Sequence, residues 1–172
     1  AFFTFNNRGA HYIKTINKAD QEETEGRNEE KLGTAYELIK DCVHDINGAI
    51  QFLKSQGFEE FYLIGHSSWA NKICVYDHYQ PDNSVSKYIL LGGGDDTGIF
   101  YQKVSDKQQF FKYLAQARNK IDQGKGKKLV PQYMTSYMLS YQSYYDICNP
   151  DGDYNTFPFY EYFNQVKLST KP

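Results

Sequence analysis

The chain has 172 residues, 40% of them hydrophobic and 17% aromatic, with a formal net charge of −2. That describes one globular domain with enough apolar surface for a sizeable core. The near-neutral balance, whose densest basic run is the short Lys125-Gly126-Lys127-Lys128, offers no face for nucleic acid. No apolar stretch approaches the roughly 20 residues of a membrane span.

Phe2-Phe3-Thr4-Phe5 reads as an inner strand closed by the turn residues Asn6-Asn7-Arg8-Gly9. From Lys18 to Lys31 the chain is acidic and nearly free of apolar residues, which predicts an exposed loop. Ala35, Leu38, Ile39, Cys42, Val43, Ile46, Ala49, Ile50 and Leu53 then recur at three- and four-residue steps, the stripe of an amphipathic helix. Thr34 is placed to cap its start and Gly57 to end it, with Asp41 and Asp45 on the solvated side. A strand is expected over Phe58 to Ile64, a helix from Asn71 to Tyr79, a turn at Pro81-Asp82-Asn83, and a third strand over Val85 to Leu91. This alternation predicts an α/β fold, a parallel sheet flanked by helices.

Beyond Gly94 the strand rhythm stops. Helices are expected over Asp106 to Gln123 and Thr135 to Ile147, the second carrying Tyr137, Tyr141, Tyr144, Tyr145 and Cys148 at helical steps. Asn149-Pro150-Asp151-Gly152-Asp153 reads as a turn, because it lacks the length and terminal Glu of a calcium loop. The three cysteines are widely spaced, which favours buried free thiols over disulfides or a metal cluster and fits a reducing, cytoplasmic location.

The chemistry gathers where a strand meets a helix, at Gly65-His66-Ser67-Ser68-Trp69. A sharp strand-to-helix turn exposes a serine oxygen and aims helix N–H groups at a developing oxyanion. The segment resembles the G-x-S-x-G nucleophile elbow of α/β-hydrolases, and Asn6-Asn7-Arg8-Gly9-Ala10-His11 resembles the D-x-R-G-x-G segment after their fourth strand. The resemblance implies residues 1–98 as a hydrolase core, 99–164 as a Tyr-rich helical lid, and 165–172 as the return to the core. It also implies Ser67 as nucleophile and the N–H of Ser68 as an oxyanion donor. The reaction would be transfer of an acyl group from a small apolar or aromatic ester to water, with no metal or organic cofactor.

Trp69 stands where the elbow needs a small residue. Its indole is expected either to crowd the turn or to swing out beside the nucleophile, and Trp69→Gly to relax the elbow. No histidine is placed as base: His66 lies in the elbow backbone, His44 and His78 fall in helices, and His11 is pocket-lining or structural. Asp95 and Asp96, after the third strand, are candidates for the triad acid or for capping. Ala1 opens on strand-like residues without a methionine, so the reading expects a piece of a longer protein whose acid and histidine follow Pro172. The rival reading is a ligand-binding pseudo-enzyme on the same scaffold.

Overall fold

A computed structural model describes residues 1–17 and 29–159. Its centre is a parallel pair of strands, β3 (Phe61–His66) and β4 (Val85–Leu91), joined through a crossover helix. A separate antiparallel hairpin pairs β1 (Lys14–Asn17) with β2 (Glu29–Leu32). The helices are α1 (Cys42–Ser55), α2 (Ser68–Tyr79), α3 (Asp96–Lys103), α4 (Lys107–Asp122) and α5 (Tyr141–Cys148).

The fold is mixed α/β, as expected, but the parallel sheet has two strands among the described residues. Phe2-Phe3-Thr4-Phe5 is not an inner strand: it pairs with no strand among the described residues, and Phe2 is 82% exposed. Phe3 and Phe5 are held by ring contacts instead, Phe3 on Phe52 of α1 and Phe5 edge-on to Trp69 of α2. The loop expected from Lys18 to Lys31 ends as strand, since Glu29 to Lys31 pair with Thr15 to Asn17; residues 18–28 lie outside the described part.

Helix α1 keeps its predicted stripe, with Cys42, Val43, Ile46 and Ile50 buried, and Gly57 follows its end at φ +85°, a conformation that favours glycine. Its start is later than the stripe suggests. The Ala35 carbonyl accepts the Ser140 N–H (2.7 Å) and the Ser143 hydroxyl (3.0 Å), so it is committed to α5. A 3₁₀ turn, Ile39–Asp41, leads into the helix, and the Thr34 hydroxyl donates to the carbonyls of Gly9 and His11 instead of capping. Asp41 and Asp45 are not merely solvated: Arg8 meets Asp45 at 3.0 Å and Asp41 at 3.7 Å.

One apolar core runs from α1, α2 and the sheet into α4 and α5, taking in Ile46, Phe61, Val75, Val85, Phe110, Tyr144 and Cys148. Of the expected tyrosine stripe, Tyr141 and Tyr144 are buried with Cys148, and Tyr137 is exposed. The helix expected over Thr135 to Ile147 is shorter, because Ser140 bridges to Leu129 and then caps α5 by accepting the Ser143 N–H. Helix α3 was not anticipated. On the sheet face opposite α2, Tyr62, Ile64, Ile89 and Leu91 are exposed. Cys42, Cys74 and Cys148 are free and buried, and desolvation pushes the Cys42 and Cys74 thiols up to about 12. No helix is long and apolar enough to cross a membrane among the described residues.

Candidate functional site

The strand β3 ends at His66, and the helix α2 begins at Ser68; Ser67 is the single residue between them. Its backbone stands at φ 58°, ψ −134°, a region that strains any residue but glycine and costs on the order of 1–3 kcal/mol. The turn is fixed on both sides. The Ser67 N–H donates to the Leu91 carbonyl of β4 (2.9 Å), and the Ser67 carbonyl accepts the Ala70 N–H (2.8 Å). The start of α2 leaves the N–H groups of Ser68 and Trp69 without an intrahelical acceptor, at the positive end of the helix dipole.

Gly65 explains how the turn closes. A Cβ there would lie 2.7 Å from the backbone carbonyl of Trp69 and 2.7 Å from Ile73 Cδ1, so only a hydrogen fits. The close approach involves the backbone of residue 69 and not its side chain. The indole turns outward, edge-on to Phe5 at 5.5 Å, with the Lys72 ammonium 5.0 Å from its ring centre. Of the two expected outcomes the indole takes the second, swinging out instead of crowding the turn, and the reason for Trp69→Gly to stabilise the elbow goes with the first. That substitution is now expected to cost about 1–3 kcal/mol, through lost ring contacts and a glycine in the first helical turn, as read by urea unfolding.

Beside the elbow lies a cavity of about 550 Å³ whose walls include Phe5, Tyr12, Trp69, Phe100, Tyr137 and Tyr154. Its polar lining comes from Asn7, Glu37, Ser68, Lys72 and Asp96, among others. Lys72 and Glu37, 5% and 8% exposed, form an ion pair at 2.6 Å, and the same Glu37 oxygen accepts the Asn7 side-chain amide at 2.8 Å. The Ser68 hydroxyl bonds the Asp96 carboxylate, which burial nonetheless holds above its ordinary range. Asn71 ties α2 to the loop after β4 by exchanging hydrogen bonds with Gly94, which brings Asp96 opposite Ser68.

Of the residues singled out from sequence, Ser68, Trp69 and Asp96 share this cavity. Ser67 is exposed on its turn, and His66 points along the opposite side, its Nε2 4.0 Å from where a Cβ on Gly92 would stand. Asp95 is 2% exposed and caps α3, accepting the Gly98 N–H at 2.7 Å. His11 is exposed, at φ 68°, in the turn whose carbonyl takes the Thr34 N–H. No histidine borders the cavity, and no three His, Cys, Asp or Glu side chains converge as metal ligands among the described residues. The buried Asn7–Glu37–Lys72 network has no counterpart in the sequence reading: that Lys72 lies in a helix buried from Ala70 to Asp77 emerges only in the fold. No family model, curated protein or solved structure matches this chain.

Proposed function

We propose that this chain carries the nucleophile elbow of a serine hydrolase built on the α/β-hydrolase plan. The observation that supports it is Ser67 itself, a non-glycine residue held at φ 58° between a parallel strand and a helix N-terminus. Such strain persists only where the surroundings over-determine it, and here the strained residue is an exposed serine next to helix N–H groups that have no intrahelical acceptor. In the reaction, the Ser67 oxygen attacks an ester-like carbonyl carbon and its proton passes to a base. The carbonyl oxygen takes negative charge against the Ser68 N–H, the alkoxide leaves with a proton, and water resolves the acyl-enzyme. Ile99 and Phe100 of α3, with Tyr137, Met138 and Leu139 of the segment before α5, supply apolar wall, which supports the reading of the later part of the chain as a lid over a small apolar or aromatic substrate.

A second reading, a ligand-binding protein without turnover, is supported by the absence of histidine from the cavity lining. Hydrolysis of a p-nitrophenyl ester separates the two. The 172-residue chain is expected to hydrolyse it feebly, on the order of 10³–10⁴-fold over water at most, and added imidazole is expected to raise the rate in this chain and not in Ser67→Ala. An imidazole response that survives Ser67→Ala would remove the hydrolase reading.

A further inference from the structure

The cavity beside the elbow has an unbalanced charge. Glu37 and Asp96 are both in its lining, and among the described residues Lys72 is the one cation there; its ammonium is already bonded to Glu37 at 2.6 Å. Asp96 receives a hydroxyl, that of Ser68, and among the described residues it feels the Lys72 ammonium only through space, that ammonium being in contact with Glu37. The cations nearest the wall are already engaged: Lys14 donates to the Asn7 carbonyl at 3.3 Å, and Arg8 pairs with Asp45 and Asp41. The Tyr154 phenol, 6% exposed, lies in the combined field of Glu37, Asp146 and Asp96, and burial together with that field keeps it protonated. The remaining walls are aromatic, and the faces of Tyr, Phe and Trp rings attract cations. The Lys72 ammonium over the Trp69 ring already uses one of them in this way.

We propose that this cavity takes the protonated amine of an amine-bearing ester or amide, with Asp96 as its counter-ion and the aromatic walls around its apolar part. The assignment of the ligand as a substrate rests on the hydrolase reading of Ser67. Its recognition as a cation does not. A carboxylate partly withdrawn from water and short of a positive partner gains by receiving one, and a neutral or anionic head group would leave that carboxylate as it is or repel it. Ser68, between Asp96 and the elbow, sets the ammonium one residue from the nucleophile along the chain.

Trp69 is the sole tryptophan of the chain and lines the cavity, so its fluorescence reports occupancy directly. The Ser67→Ala protein would be titrated with 2-phenylethylamine, 2-phenylethanol and phenylacetate, at a pH where the amine is protonated. The amine is expected to bind at least about ten-fold more tightly than the alcohol, with phenylacetate weakest. In Asp96→Asn, which removes the charge and keeps the shape, the amine and the alcohol are expected to come within about two-fold of each other. Equal binding of amine and alcohol by the Ser67→Ala protein, tighter binding of phenylacetate, or a preference that survives Asp96→Asn would overturn the proposal. Because the titration involves no acyl chemistry, an amine preference in a protein whose Ser67 never reacts would overturn the hydrolase reading alone.

Discussion

Replacing Lys72 by alanine is expected to destabilise the protein by about 3–5 kcal/mol, read by urea unfolding at neutral pH. Lys72 and Glu37 are both almost fully withdrawn from water, and the lysine ammonium is 2.6 Å from the carboxylate. Losing the ammonium leaves a buried carboxylate with the Asn7 amide as its remaining hydrogen-bond donor. That loss is costly because the desolvation of Glu37 stays while its compensation goes. The double substitution Lys72→Met with Glu37→Leu removes both charges and is expected to recover most of the loss, since well-packed apolar residues often replace a buried ion pair without penalty. A single Lys72→Ala loss below about 1 kcal/mol would mean that water reaches the pair.

Asp146→Asn is expected to stabilise the protein at pH 8 and to leave it nearly unchanged at pH 4. Desolvation, opposed by a hydrogen bond from the Ile39 N–H at 2.8 Å and reinforced by Asp153, Asp41 and Glu37, raises the Asp146 carboxyl to about 7. The unfolded chain releases this proton near its ordinary value of 3.8, so between about pH 4 and 7 the folded state holds the extra proton. Stability therefore falls as pH rises through that window, by up to about 4 kcal/mol from this group. Asparagine keeps an acceptor for Ile39 and carries no charge to desolvate. Equal stability of the two proteins at pH 8 would show that Asp146 ionises without penalty.

Local pattern made much of the fold legible. Strand β4 has its predicted bounds, α4 lies within one residue of them, and the strand-serine-helix order around Ser67 is as read. These elements carry their own periodicity, turn residues or glycine, and need little from the rest of the chain. The failures depend on distant partners. Phe2 to Phe5 has the composition of a strand but no strand to pair with among the described residues, and rings of α1 and α2 hold it instead. Helix α3 has Gly98 near its start and a weak apolar stripe, and its beginning is set by the Asp95 cap. Hairpin β1–β2 is polar enough to read as loop. At the site, the elbow was local and therefore visible. The Lys72–Glu37 pair joins residues 35 apart and the Asn7–Glu37 bond residues 30 apart, distances over which one sequence shows no signal. Trp69 was visible, but its orientation depends on Phe5 and Lys72.

If Ser67 is the reacting serine, as proposed, treatment with a fluorophosphonate followed by peptide mapping by mass spectrometry finds it. A single adduct is expected on Ser67, formed slowly, accelerated by imidazole, absent from Ser67→Ala and still formed in Ser68→Ala. An adduct on Ser68, adducts scattered over several serines, or no adduct even with imidazole would contradict it.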